Sequence, residues 1–217
     1  MDFPAWRLIA RRYYNEQTFM TDLLELHKTF LSRHLREGAV AADCTMGNGH
    51  DTLWLSRSVG ATGRVIAFDI QEKAVENTSA LLASENAPQN YRLLLDSHAN
   101  LQLRLAEWLG EDARLDACVF NLGWLPGSGD RSVTTLREST LAAAEAALEL
   151  LAPDGCLLVA VYPGHPEGAA EGEMLTARFA GLDRREYSAI CVRLVNSPAS
   201  PFFFVVERSD RGAGAGK

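Results

Sequence analysis

The chain has 217 residues, enough for one domain with a sizeable core, and its 47% hydrophobic and 23% charged content is that of an ordinary globular protein. No apolar run is long enough to span a bilayer, and the charged N-terminus (Asp2, Arg7, Arg11, Arg12, Glu16) does not read as a signal peptide. A net charge of −7 disfavours a broad, non-specific nucleic-acid surface while leaving room for a local basic patch.

Residues 1–20 are aromatic and arginine-bearing (Phe3, Trp6, Tyr13, Tyr14, Phe19) and read as an extension ahead of a main domain at 21–208. Leu23, Leu24, Leu26, Phe30, Leu31 and Leu35 recur at helical spacing and stop near Gly38. Strands are then predicted at Val40–Cys44, Arg64–Asp69, Tyr91–Leu95, Ala117–Asn121 and Cys156–Tyr162. Helices are predicted at Asp51–Val59, Glu72–Ser84, Ala99–Leu109, Thr135–Leu151 and Glu171–Phe179. Such alternation calls for parallel strands joined by crossover helices, an α/β architecture with helices on both faces. Tyr187–Val195 and Phe202–Glu207 break it: only a short Ser/Pro loop separates them, which suits a final antiparallel hairpin. The glycine-rich end, 209–217, reads as a disordered tail. Four cysteines (Cys44, Cys118, Cys156, Cys191) fall in apolar strand-like runs with no Cys-x-x-Cys pair. They predict reduced, mostly buried thiols in a cytoplasmic protein without a metal site.

The chemistry-bearing residues gather at the predicted strand ends. After the first strand comes Asp43-Cys-Thr-Met-Gly-Asn-Gly-His-Asp51, where Gly47 and Gly49 let backbone approach a ligand and the following helix offers free N–H groups. Asp69 ends the second strand 20 residues after Gly49, the place at which an acid takes ribose hydroxyls, or else caps the next helix. Gln71 can reach the same edge of the ligand. Asp96-Ser97-His98 ends the third strand, placed either to contact an adenine or to cap the helix that follows. Asn121-Leu-Gly-Trp-Leu-Pro-Gly127 ends the fourth. The side-chain carbonyl of Asn121 and the backbone carbonyl of Leu122 can aim an amine nucleophile, and Trp124 offers a flat face for a base. Tyr162-Pro-Gly-His-Pro-Glu-Gly168 ends the fifth, where Tyr162 or His165 could organise proton removal. Thr134 or Thr135 reads as a helix N-cap or as a contact to substrate phosphate, and Arg131 and Arg137 flank the same loop.

Together these strings resemble the bacterial "putative rRNA methylase" family, whose members are similar to the tRNA 5-aminomethyl-2-thiouridine methyltransferase of Gram-positive bacteria. The resemblance runs from about Leu23 to Val206 and is carried most specifically by Asn48-Gly-His-Asp51 and Pro163-Gly-His165. It implies a Rossmann-like class I methyltransferase fold: a mostly parallel seven-stranded sheet ending in an antiparallel hairpin. It further implies S-adenosyl-L-methionine as cofactor and methyl transfer to the exocyclic amine of a tRNA wobble uridine. Asn48, Asp69, Gln71, Ser97 and His98 would contact the cofactor by analogy, with Gly47, Gly49, Asp51 and Asp96 in the same group. Asn121, Tyr162 and His165 would serve catalysis; Trp124, Arg131 and Thr135 would meet the substrate. A homodimer is compatible with it. The competing readings are an rRNA methyltransferase, a small-molecule methyltransferase on the same fold, and a cofactor-binding module without catalysis. An NAD-dependent enzyme is opposed by the lack of the third spaced glycine of that fingerprint, Leu53 and Trp54 occupying the region after Asp51.

Overall fold

The structure is a computed structural model and describes residues 23–127 and 133–209. The proposed extension at 1–20, most of the tail, and Arg131 lie outside the described residues. In chain order the elements are α1 (Leu23–Leu31), β1 (Val40–Asp43), α2 (His50–Val59), β2 (Arg64–Asp69), α3 (Glu72–Ser84), β3 (Tyr91–Leu95), a 3₁₀ turn (His98–Asn100), α4 (Leu101–Leu109), β4 (Leu115–Asn121), α5 (Arg137–Leu150), β5 (Leu151–Val161), α6 (Pro166–Ala180), β6 (Tyr187–Val192) and β7 (Phe202–Arg208).

The seven strands form one sheet in the order β3-β2-β1-β4-β5-β7-β6. β1 to β5 are parallel. β7 runs antiparallel to β5, and β6 antiparallel to β7. This is the expected mixed sheet with its closing hairpin. Its central strands are continuous apolar runs because both faces are covered. Along β4, Cys118 and Phe120 enter one core while Ala117 and Val119 enter the other. Along β5, Leu157, Val159 and Val161 alternate with Cys156, Leu158 and Ala160 in the same way. The first core is closed by residues of α4, α5 and α6, the second by residues of α1 and α2. Packing of α3 against α2 and β3 completes that second layer. The chain reverses its direction of travel across the sheet between β1 and β4, so the crevice outside their carboxyl ends is where such folds take a ligand.

Several boundaries depart from the sequence expectation, each for a local reason. α6 begins at Pro166, five residues before the predicted start, because the ring of His165 accepts the Gly168 N–H and Pro166 presets the first helical φ. What looked like an irregular loop is a capped helix start. α5 begins at Arg137 with Leu136 at the cap position and no side-chain cap, so neither Thr134 nor Thr135 caps it. β5 starts at Leu151 rather than Cys156, since Leu151 pairs with Leu115 ahead of a register shift. Cys44, Cys118 and Cys156 are buried and Cys191 is exposed, all as free thiols. Among the described residues no helix is long and apolar enough to cross a membrane.

Candidate active site

The carboxyl ends of β1, β2, β3 and β4 and the start of the loop after β5 open into one cavity of about 820 Å³, a size suited to a nucleoside-type ligand. Gly47, Asn48, Asp51, Asp69, Gln71, Asp96, Ser97, His98, Asn121, Trp124, Thr135, Tyr162 and His165 all line it. The structure therefore brings together nearly every candidate that the sequence singles out and that it describes. Gly49 is the exception. It is buried at φ +86, and a Cβ there would stand 2.8 Å from Thr78 Oγ1. Glycine is needed at that position to let α2 start against α3 rather than to admit a ligand.

At the β1–β2 side the backbone does most of the building. Asp69 Oδ2 accepts the Gly47 N–H at 3.1 Å and its Oδ1 accepts the Gln71 N–H at 3.0 Å. The cap position of α3 is Gln71, without a side-chain bond, so Asp69 ties two strand-end loops together instead of capping a helix. Burial pushes its carboxyl above the ordinary value against those backbone donors. Both atoms of the Asn48 amide have a partner: its Nδ2 donates to Pro126 O at 3.0 Å and its Oδ1 accepts from Asn77 at 2.9 Å. It latches the loops after β1 and β4.

At β3, Asp96 is gripped by Arg104 Nε at 2.6 Å and by Asn100 at 2.8 Å. Despite the opposing effect of burial, those partners hold its carboxyl below the usual range. Ser97 accepts the Ala99 N–H and caps the 3₁₀ turn, so cavity lining and capping coexist at this strand end. His98 Nδ1 lies 3.0 Å from the Cys44 carbonyl. A carbonyl can only accept, so Nδ1 carries the proton and Nε2 keeps its lone pair. That Nε2 is buried and has no partner among the described residues. Burial lowers the His98 pKa, which keeps the ring neutral.

The β4 and β5 side is held by side chains from distant parts of the chain. The backbone N–H of Asn121 donates to the Thr45 hydroxyl oxygen at 2.7 Å, and its side-chain Nδ2 donates to Asp51 Oδ2 at 2.7 Å. Because that Nδ2 must face a carboxylate, the amide oxygen is the atom turned the other way. Asp51 Oδ1 lies 3.6 Å from Nε2 of His27, an electrostatic contact rather than a hydrogen bond. Burial alone would raise the Asp51 carboxyl. His27, Asn121 and Lys28 hold it below the ordinary value. Thr135 is a strut: its Oγ1 accepts the Gly123 N–H at 3.0 Å and donates to buried Glu171 at 2.9 Å. His165 packs against Trp124 with ring centroids 4.7 Å apart. Its Nδ1 accepts the Gly168 N–H, so a neutral ring carries its proton on Nε2 and offers a donor there, not a base. Arg137 pairs with Glu167 at 3.0 Å.

Sequence reasoning missed His27, Glu171 and Ile70. The first and third line the cavity. His27 carried a readable signal, since Leu23, His27 and Leu31 fall at four-residue intervals on the buried stripe of α1 and are 8%, 2% and 1% exposed. Among the described residues no group of three or more His, Cys, Asp or Glu is arranged to hold a metal ion.

Sheet order, terminal hairpin and a cavity at the carboxyl ends of the first four strands define the class I methyltransferase fold. Residues 65–208 match the model of the family described as "Putative rRNA methylase", and the chain belongs to that family. It is similar to a crystal structure described as a putative rRNA-methylase from Clostridium thermocellum, with a TM-score of 0.80 and 32% identity over 88% of this chain and 100% of that one. A putative methyltransferase from Streptococcus mutans in complex with SAH superposes with a TM-score of 0.76 at 31% identity, covering 88% and 99% of the two chains. The tRNA (mnm(5)s(2)U34)-methyltransferase, chloroplastic, of Arabidopsis thaliana is 36% identical over 175 residues, 77% of this chain. The chain spans 62% of that relative's length.

Proposed function

We propose that this protein is an S-adenosylmethionine-dependent N-methyltransferase, with residues 21–208 as its catalytic domain. Its acceptor is the aminomethyl group at the wobble uridine of tRNA. One observation carries the reading: Asn121, at the end of β4, has its amide oxygen turned outward by Asp51 in the same cavity that Asp69 and His98 line. An amine acceptor needs a carbonyl-type oxygen beside the methyl donor, and a nucleoside-bearing donor needs an acid and a neutral acceptor nitrogen at the β2 and β3 ends.

The residues fit the cofactor. Asp69 would take ribose hydroxyls and Gln71 the same edge. His98 Nε2 would accept from the adenine amino group, which answers its lack of a partner. The loop at Gly47 and Asn48, with the N-terminus of α2, would hold the methionine end. When bound, the cofactor supplies an electrophilic methyl group on a sulfonium. Asn121 then orients the amine; Trp124 and Tyr162 shape its approach. His165 serves by position and by the donor on Nε2. Support for the tRNA acceptor comes from the name of the Arabidopsis relative. The SAH-bound relative supports the cofactor. The test is methyl transfer from labelled cofactor to tRNA carrying the unmethylated aminomethyl group, read by nucleoside mass spectrometry. Methylaminomethyluridine is the expected product. Transfer to rRNA or to a small amine in its place would overturn the assignment of the acceptor.

A further inference from the structure

His27 takes no part in the proposed contacts to cofactor or acceptor. It is 2% exposed, lies on α1 at the cavity wall, and neither ring nitrogen has a hydrogen-bond partner among the described residues. A buried imidazole left in that state costs free energy unless something reaches it in the working protein. Its neighbour is Asp51, 3.6 Å away, whose other oxygen is 2.7 Å from Asn121. Three elements far apart in sequence thus form one line: imidazole, carboxylate, amide. Two other cavity histidines are committed differently, His98 to the Cys44 carbonyl and His165 to the Gly168 N–H.

We propose that Asp51 and Asn121 together seat the acceptor's ammonium, and that His27, behind Asp51, is where its surplus proton comes to rest. This rests on the amine-methylating reading above, and it moves Asp51 from the cofactor to the acceptor. An aliphatic amine arrives protonated and cannot attack. One ammonium N–H bond breaks toward Asp51, the electron pair stays on nitrogen, and the proton passes to a nitrogen of His27. Attack by that pair forms the N–CH₃ bond as the C–S bond of the methyl donor breaks, with its electrons going to sulfur. The product leaves as a secondary ammonium, and His27 loses its proton to solvent. Asp51 is the catalytic residue, since it touches the acceptor; His27 is a positioning residue acting through it. Of the ionisable groups around the pair, Lys28 from α1 and Asp43 at the end of β1 interact electrostatically with Asp51, and Glu25 from α1, His50 from α2, Asp69 from β2, and Tyr162 and His165 line the same cavity.

The experiment compares wild type, His27→Gln and Asp51→Asn on aminomethyl-bearing tRNA from pH 6.5 to 9, alongside calorimetric binding of S-adenosylhomocysteine. At pH 7 His27→Gln should lose about 100-fold in kcat, the usual worth of a placed proton acceptor. That deficit should shrink at least tenfold by pH 9, where the amine is delivered already neutral. Asp51→Asn should show the same pH signature with a larger loss, and it decides the matter should His27→Gln fail to fold. S-Adenosylhomocysteine affinity should stay within threefold in both. A deficit that is constant with pH would make the pair structural. A lost affinity with unchanged turnover would make it the seat of the cofactor's own ammonium. Either result overturns the proposal. Wild type that binds S-adenosylhomocysteine yet methylates no tRNA would instead sink the proposed function.

Discussion

The two sides of the cavity are built by different means. At the β1, β2 and β3 ends most contacts are made to backbone, some within two residues (Asp69 with Gln71, Asp96 with Ser97, Ser97 with Ala99) and some between strand ends (Asp69 with Gly47, His98 with Cys44). At the β4 and β5 ends they are long in sequence and rest on side chains. Asn121 meets Asp51 across 70 residues, Thr135 meets Glu171 across 36, and His27 meets Asp51 from α1. On the proposed reading the first side takes the nucleoside of the cofactor, at the strand ends where such folds bind one. The second would receive the acceptor, and its parts have no fixed spacing. Substitutions on the two sides should therefore separate, one set changing cofactor affinity and the other changing turnover.

The largest effect is expected at Asn121. Asn121→Ala should lower kcat by about 1,000-fold while S-adenosylhomocysteine affinity, measured by calorimetry, changes by less than threefold. Equal losses in both would erase the division between the two sides.

Beneath them lies a shared anchor, Asp43. It is fully buried, accepts Thr52 Oγ1 at 2.6 Å and the Thr45 N–H at 3.2 Å, and burial with Asp51 nearby pushes its carboxyl up to about 7. The folded protein therefore binds a proton that the unfolded chain, with an ordinary carboxyl near 4, has lost. This contribution to stability is whole below about pH 4 and disappears as pH rises through 7, at up to about 1.4 kcal/mol per pH unit. Asp43→Asn has nothing to titrate; its single oxygen can take the Thr45 N–H while its NH₂ donates to the Thr52 hydroxyl oxygen. Denaturant melts of the variant should be flatter between pH 5 and 8 than those of wild type; a parallel slope would assign the pH dependence elsewhere.

Asp69→Ala comes next. It removes two charge-assisted backbone bonds and the candidate ribose acceptor, so S-adenosylhomocysteine affinity should fall by about 10- to 100-fold, or 1.4–2.7 kcal/mol. Turnover at saturating cofactor should fall far less, the reverse of Asn121→Ala.

The same asymmetry explains what could be read from the chain. Strand order, hairpin and the Gly47, Asp69 and His98 positions follow from periodicity and from where each apolar strand run ends. Asn121 was legible because a polar residue ended an apolar strand. The Asp51 link was not, because nothing local couples residues 51 and 121. Glu171 was hidden for a related reason: an acid on a helix normally faces water, and only the hydroxyls of Thr135 and Thr140 explain its burial. His27 stood in plain sight within an apolar stripe, its chemistry concealed until α2 brought Asp51 beside it.

The smallest effect is expected at that hidden acid. Glu171 is fully buried, and burial raises its carboxyl against the pull of two hydroxyls. Thr140 Oγ1 donates to it at 2.7 Å and Thr135 Oγ1 at 2.9 Å, while Thr135 accepts the Gly123 N–H at 3.0 Å. Glu171→Gln keeps the shape but supplies one acceptor oxygen and a donating NH₂. If the oxygen stays on Thr140, the NH₂ faces Thr135, whose oxygen must then serve two donors. The bond to Gly123 weakens by about 1 kcal/mol. Global stability should drop by a similar amount, cofactor affinity should hold, and the KM for tRNA should rise a few-fold, because Gly123 sits between Asn121 and Trp124. Amide exchange at Gly123 reads the strut directly. Faster exchange there with unchanged exchange at Gly47 keeps the two sides of the cavity independent; faster exchange at both would show that they move as one.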